Sequence, residues 1–83
     1  MERILNAKEK IKYRIELDTM NDVREFVAIA AKCEDKVVLR TGSLCVNAKS
    51  LLGVVIAHKV NWSELTIESD SDHYGEFRKF IID

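Results

Sequence analysis

The first third of the chain carries hydrophobic residues at two different spacings. Between residues 11 and 17 every second residue is hydrophobic and the residues between are charged, which is typical of a β-strand with one face on a core and the other in water. Residues 19–22 fit the capping pattern of a helix start, and hydrophobic residues then recur at helical spacing to about Cys33. We therefore expect a strand followed directly by an amphipathic helix.

The middle of the chain predicts a hairpin and a second, shorter helix. Two short apolar runs, at residues 37–39 and 44–46, flank a Gly-Ser pair, as the strands of a β-hairpin do. Ser50 is a suitable N-cap for a helix that extends to about His58, and Gly53 weakens the middle of that helix.

The last third predicts one more strand and a closing helix. After a loop at residues 60–63, residues 64–68 alternate again, with Leu65 and Ile67 on the inner face. The acidic segment 70–72 suits the start of a helix. The apolar stripe of this helix consists of Tyr74, Phe77, Phe80 and Ile81. The predicted element order is therefore β-α-β-β-α-β-α.

This order predicts an α+β fold, an open-faced sandwich in one domain over residues 1–83. Four strands that each carry one apolar face need a single layer of helices, so we expect a four-stranded, mostly antiparallel sheet covered on one face by three helices. The apolar residues of the second helix surround most of it, and they are Leu51, Leu52, Val54, Val55 and Ile56. Some of them must stay exposed. Such a patch often binds a partner, although single exposed leucines are common.

Composition and charge narrow the function classes. The chain has 83 residues, of which 47% are hydrophobic and 33% charged, with 13 Lys and Arg against 14 Asp and Glu. A net charge of −1 gives no general attraction to nucleic acid or to an anionic membrane. No apolar run approaches the roughly 20 residues of a membrane helix, and residues 1–9 lack the apolar core of a signal peptide. A cytoplasmic protein is expected.

Cysteines and histidines are too few and too scattered to predict a metal or cofactor site. Cys33 and Cys45 show no C-x-x-C spacing, and His58 and His73 lack the spacing of a metal-binding pair. We expect both thiols to be buried or half-buried and the histidines to lie at the surface or at helix ends, with no metal and no cofactor.

The segment V-N-A-K-S-L-L-G-V at residues 46–54 is the most specific motif of the chain. Together with the element order, it resembles HPr, the histidine-containing phosphocarrier protein family of the bacterial sugar phosphotransferase system. Gram-positive members carry V-N-x-K-S, two bulky apolar residues and G-V. The resemblance extends over roughly residues 11–82 and implies an HPr-like sandwich, so that residues 1–9 would be an N-terminal extension.

The main departure from the family is the loss of its phosphoryl-carrying histidine. HPr proteins carry it in a G-I/L-H-x-R-P-A segment between the first strand and the first helix, where this chain has L-D-T-M-N-D-V-R-E at residues 17–25. The degenerate loop consists of Asp18, Thr19, Asn21 and Asp22, with Thr19 at the place of the histidine. Imidazole carries a phosphoryl group reversibly, whereas a threonine phosphate ester is too stable to pass it on. The resemblance therefore implies a protein that is not an enzyme.

The regulatory serine of the family is retained. The resemblance places it at Ser50, which in Gram-positive members is phosphorylated by HPr kinase/phosphorylase, after which the protein binds a LacI-type catabolite control regulator. The catabolite-repression HPr paralogue shows the same combination of lost histidine and kept serine. On this interpretation the partner-binding residues are Lys49, Leu51, Leu52 and Val55. Other phosphotransferase-system proteins are further candidate partners, whereas nucleic acid and membrane are not.

Three alternatives stay open. Ser50 can be an N-cap and nothing more, since serine is common before an apolar run. The protein can be a phosphocarrier with an unusual acceptor, for which Asp18 or Asp22 could form an acyl phosphate, although helix capping explains both acids. Finally, the fold can serve an unrelated protein–protein interaction through the same apolar patch.

Overall fold

The computed structural model describes residues 10–82. The predicted N-terminal extension, residues 1–9, lies outside the described residues. The elements are β1 (Ile11–Ile15), α1 (Met20–Lys32), β2 (Val37–Thr41), β3 (Leu44–Asn47), α2 (Leu51–Asn61), β4 (Leu65–Ser69) and α3 (Tyr74–Phe77), followed by a 3-10 turn (Arg78–Phe80). The fold is the predicted α+β open-faced sandwich.

The four strands form one antiparallel sheet in the order β1-β4-β2-β3. Ile15 lies opposite Leu65, and Leu39 lies opposite Ile67. Because side chains alternate across a strand, this register places most hydrophobic residues of the four strands on the face that the helices cover, whereas Val38 and Cys45 lie on the open face. The hairpin between β2 and β3 turns at Gly42, whose φ of 58° lies in the left-handed region that favours glycine.

Helix α1 begins with the predicted capping box. The Thr19 hydroxyl accepts a hydrogen bond from the backbone N–H of Asp22 at 3.0 Å, and the Asp22 carboxylate accepts one from the N–H of Thr19 at 3.3 Å. The same carboxylate accepts the N–H of Asp18 at 3.0 Å. Val23 and Phe26 on the inner side of the helix are completely buried, so the cap sets the position at which the apolar stripe starts.

Helix α2 is longer than the sequence predicted. It extends to Asn61, so the predicted end at about His58 and the predicted loop from residue 60 are wrong. The side chain of Asn61 ends the helix, because its Oδ1 accepts hydrogen bonds from the N–H and the hydroxyl of Ser63 at 3.3 and 2.9 Å. The Asn61 carbonyl also accepts the Thr41 hydroxyl at 3.4 Å, which fixes this end against β2.

The closing segment contains less helix than predicted. One α-helical turn and one 3-10 turn place both Phe77 and Phe80 in the core. The chain then extends, and Ile81 forms an antiparallel bridge with Ile15. Hydrogen bonds of 2.9 Å join the N–H of Glu16 to the Phe80 carbonyl and the N–H of residue 82 to the carbonyl of residue 14. Ile81 therefore lies beside β1 and not on the helix stripe, because pairing with the strand edge satisfies its backbone.

Candidate functional site

The outward half of α2 is almost entirely apolar. Leu51, Leu52, Ile56 and Val60 are 47%, 72%, 45% and 62% exposed, and we call these four residues the α2 apolar surface. At 100° per residue they share one side of the helix, while Val54 and Ala57 on the opposite side are completely buried. Exposed leucine, isoleucine and valine side chains grouped on one helix form a surface suited to binding another protein.

Ser50 lies at the start of this surface as the N-cap of α2. Its hydroxyl accepts a hydrogen bond from the backbone N–H of Gly53 at 3.2 Å. The first turn of the helix is L-L-G-V and contains no acidic residue. Gly53 also allows close packing, since a Cβ atom at this position would lie 3.2 Å from Cβ of Val46. The positive end of the helix dipole therefore faces Ser50 without a negative side chain in that turn.

One of the predicted partner-binding residues, Lys49, makes its contact elsewhere. Lys49 is half-buried, and its Nζ donates a hydrogen bond to the carbonyl of Cys33 at 2.7 Å, at the C-terminal end of α1. A cation is favourable at that end of a helix. Val55 is half-buried: it packs against the core, yet at 100° per residue it lies between Leu51 and Leu52 on the same side of α2. Leu51 and Leu52 are exposed beside Ser50, and Ile56 and Val60 extend the surface beyond the residues that the family motif suggested.

The degenerate loop lies at the other end of the helix pair. His58, in the last turn of α2, contacts the carbonyl of Leu17 at 2.7 Å through Nε2, directly before α1. Lys49, before α2, contacts the end of α1. The two helices are therefore antiparallel, and Ser50 is separated from the start of α1 by the length of a 13-residue helix, about 20 Å. The structure does not bring Ser50 and the loop into one site.

Two side chains of the loop, Asp22 and Thr19, accept hydrogen bonds from backbone N–H groups. Asp22 accepts two backbone N–H groups, and Thr19 accepts a third. The side chains of Asp18 and Asn21 are exposed. Among residues 10–82, no group of three or more His, Cys, Asp or Glu is placed to hold a metal ion. The arrangement completes the start of α1, as the capping interpretation expected.

A depression of about 590 Å³ at the end of α1 was not found from the sequence. Inside it, Nε2 of His73 lies 2.6 Å from Oδ1 of Asp35, and Oδ2 of Asp35 accepts the N–H of Ser71 at 3.2 Å. These bonds join the loop before β2 to the loop before α3. His73 and Asp35 are 38 residues apart, and neither belongs to a sequence motif. No local pattern could therefore predict that they pair.

Cys33 lines the same depression but is a poor nucleophile. Only 8% of the residue is exposed, and its thiol donates to the carbonyl of Ile29 at 3.6 Å. Burial raises the pKa of the Cys33 thiol above its usual value, and the reactive form of a cysteine is the thiolate. The depression therefore holds a protonated thiol beside a histidine–carboxylate pair, an arrangement that joins two loops rather than one that attacks a substrate.

The Asp35–His73 pair predicts acid-sensitive stability. The hydrogen bond from His73 holds the pKa of Asp35 below the ordinary 3.8, so the folded state binds this proton less tightly than the unfolded state. The pair therefore stabilises the protein fully at a pH above 3.8, the ordinary pKa of Asp35. This stabilisation is lost as the pH falls through the lower pKa of Asp35 in the folded state. Asp35→Asn should lower Tm at about pH 5, and the difference from the wild type should shrink towards about pH 2.

The control for this prediction is Glu34→Gln, because Glu34 is an exposed neighbour that also carries one negative charge. Its Tm should follow the wild type across the same pH range. Thermal unfolding followed by circular dichroism measures both variants. A difference between Asp35→Asn and the wild type that stays constant down to about pH 2 would contradict the assigned role of the pair.

Comparison with protein-family models, curated proteins and solved structures finds no match for this chain. Among the described residues, no helix has both the length and the apolar character needed to cross a membrane.

Proposed function

We propose that this chain is an HPr-like regulatory protein of the phosphotransferase system, acting in the cytoplasm by binding and switched by phosphorylation of Ser50. The observation that carries the proposal is the exposed α2 apolar surface, which begins directly after a serine at the N-cap of the same helix. The V-N-x-K-S motif at residues 46–50 assigns the switch to carbon catabolite control, with HPr kinase/phosphorylase as the modifying enzyme.

The helix start favours a phosphate at this position. A phosphoserine carries about −1.5 to −2 charges at pH 7 and three acceptor oxygens. At Ser50 these oxygens lie beside the free N–H groups of α2 and the positive end of its dipole. Because the first turn has no acidic side chain, the added charge meets no like charge there. Phosphorylation should therefore strengthen the start of α2.

The modified surface combines two kinds of contact. Leu51 and Leu52 follow Ser50 directly and are exposed, so a phosphate would stand next to an apolar area. A partner with an arginine for the phosphate and a hydrophobic cleft for the leucines would recognise the phosphorylated form over the unmodified one. The proposed partner of this kind is a LacI-type catabolite control regulator.

The loss of the imidazole supports a binding role over a relay. Thr19 stands where the family carries its histidine, and its hydroxyl caps α1. Of the two acidic alternatives, Asp22 holds two backbone N–H groups, and Asp18 is exposed. A phosphoryl group on Thr19 or Asp22 would displace the cap of α1, and a threonine ester would not release it to an acceptor.

Incubation with HPr kinase/phosphorylase and Mg-ATP tests the proposal directly. Intact-mass spectrometry should show the addition of one phosphoryl group to the wild type and none to Ser50→Ala. Ser43→Ala is the matched control, since Ser43 is an exposed serine in the hairpin turn, and this variant should be modified like the wild type. No added mass, or added mass on Ser50→Ala, contradicts the proposal.

Binding completes this test. The phosphorylated protein should bind the regulator more tightly than the unmodified protein, and Leu52→Asp should weaken binding without preventing phosphorylation. Equal affinity of the two forms would mean that Ser50 is not the switch.

A second candidate function is an unrelated protein–protein contact, and the length of the α2 apolar surface favours it. Val60 lies ten residues beyond Ser50 and is 62% exposed, farther than a contact centred on the serine needs. Sedimentation velocity of the wild type and of Leu52→Asp distinguishes self-association from binding to another protein. A wild-type dimer that becomes monomeric in the variant identifies the surface as a dimer interface.

A further inference from the structure

The open face of the sheet, opposite the helices, carries more basic than acidic side chains. Every second residue along β1 points to this face, and so does every second residue of the other strands. We call the group Lys10, Lys12, Arg14, Lys36 and Arg40 the cationic sheet face. Three shallow depressions cover this area, and Arg40 borders all of them. A chain with a net charge of −1 therefore gathers five cations on one side.

Glu68 is the carboxylate at the centre of this face, and it is already satisfied. It lies 2.6 Å from Nε of Arg40, and its side chain is only 11% exposed. The hydrogen bond from Arg40 is the largest cause that holds the pKa of Glu68 below its usual value, and the charges of Lys12 and Lys10 act in the same direction. Glu68 therefore remains ionised and holds the guanidinium of Arg40 in place.

The rim carries three further carboxylates, Glu16, Glu64 and Asp70. Glu16 follows β1 between the buried Ile15 and Leu17, so its side chain turns to the open face. Asp70 pairs with Lys10 at 2.6 Å, and Glu64 borders the depression that Arg14 lines. The five cations outnumber the four carboxylates by one, and Lys12, Arg14 and Lys36 are the exposed cations that a partner can reach.

We infer that the cationic sheet face binds an acidic, extended polypeptide segment. Lys10, Lys12 and Arg14 repeat along β1 at every second residue, a spacing of about 6.8 Å. Carboxylates at alternate positions of an extended peptide repeat at the same distance, so one peptide side can meet the row of cations. Arg40, two strands away from Arg14 in the register, adds a planar guanidinium that binds carboxylates well.

The composition of the face favours a peptide over single-stranded nucleic acid. Proteins that bind single strands stack the bases on aromatic side chains. The outward residues of the four described strands are Lys12, Arg14, Val38, Arg40, Cys45, Asn47, Thr66 and Glu68. None of these eight is aromatic. The described sheet thus offers charge without a stacking platform, which suits a partner that brings carboxylates and small side chains.

This surface is separate from the α2 apolar surface, since the sheet lies between them. Fluorescence anisotropy with a fluorescein-labelled dodecapeptide of alternating Glu and Ser tests the inference at low salt and at about 0.15 M salt. The wild type should bind the peptide, and added salt should weaken binding. Lys12→Gln/Arg14→Gln should weaken binding about tenfold at low salt.

The matched control is Arg24→Gln/Arg78→Gln, which removes the same charge from exposed residues of the helical layer. It should bind like the wild type, and circular dichroism should show both double variants folded. Equal weakening by the two double variants, or no binding by the wild type, overturns the inference. Tighter binding of an oligothymidylate of the same length also overturns it, in favour of nucleic acid. None of these outcomes depends on Ser50.

Discussion

Replacing Phe26 by alanine should lower the free energy of unfolding by about 3–5 kcal/mol. Phe26 is completely buried on the inner side of α1. Its ring lies 5.2 Å from that of Phe77 and 6.2 Å from that of Phe80, measured between centroids. The substitution removes the ring that holds the closing segment against α1. A domain of 83 residues has a total stability of about 4–12 kcal/mol, so the variant should lose at least about a quarter of it.

Urea unfolding followed by far-ultraviolet circular dichroism measures this effect. Phe26→Leu is the control, because it keeps most of the buried volume and should lose clearly less stability. A loss of under about 1 kcal/mol for Phe26→Ala would mean that the three rings do not form the centre of the core.

Val54→Asp should unfold the protein, whereas Leu52→Asp should leave it folded. The two residues are two positions apart on α2, yet Val54 is completely buried and Leu52 is 72% exposed. A carboxylate at position 54 would be buried without a partner, at a cost of several kcal/mol. The same carboxylate at position 52 would be solvated and should change stability by about 0.5 kcal/mol or less.

Thermal unfolding of the two variants measures the contrast, and each serves as the control of the other. A folded Val54→Asp or an unfolded Leu52→Asp would show that α2 is rotated from the described orientation. The result also matters for the binding experiments. If Leu52→Asp is folded, a loss of binding in this variant can be assigned to the α2 apolar surface and not to unfolding.

The parts of the fold that follow local patterns could be predicted. The alternation that starts at Ile11 gave β1, although the strand ends at Ile15 and not at Leu17. The capping residues Thr19 and Asp22 gave the start of α1. In each case the information lies within a few neighbouring residues, where strand alternation and capping hydrogen bonds operate.

The ends of α2 and of the closing segment could not be predicted, because distant contacts decide them. At the end of α2, the side chain of Asn61 accepts a hydrogen bond from the N–H of Ser63, and its carbonyl accepts one from the Thr41 hydroxyl on β2. Phe77 and Phe80 are three residues apart, a spacing that suits both an α-helix and the 3-10 turn that forms. The bridge of Ile81 to β1 joins segments from opposite ends of the described chain.

In the candidate site too, features set by neighbouring residues could be predicted and features set by distant contacts could not. Ser50 as a cap and the exposed Leu51 and Leu52 follow from adjacent residues. The bond from Lys49 to Cys33 spans 16 residues, and the pair of Asp35 with His73 spans 38. The row of Lys12 and Arg14 is visible in the alternation of β1, but the position of Arg40 on the same face required the register of β1, β4 and β2.

The bridge between Ile81 and Ile15 has a consequence for assembly. The closing segment occupies part of the outer edge of β1, so another molecule cannot add a strand along the whole of that side. Within the described sheet, the edge that lies open along its full length is β3. Two molecules could join through their β3 edges about a two-fold axis, whereas a third molecule would find only part of the β1 edge open, which disfavours growth into a filament through strand addition.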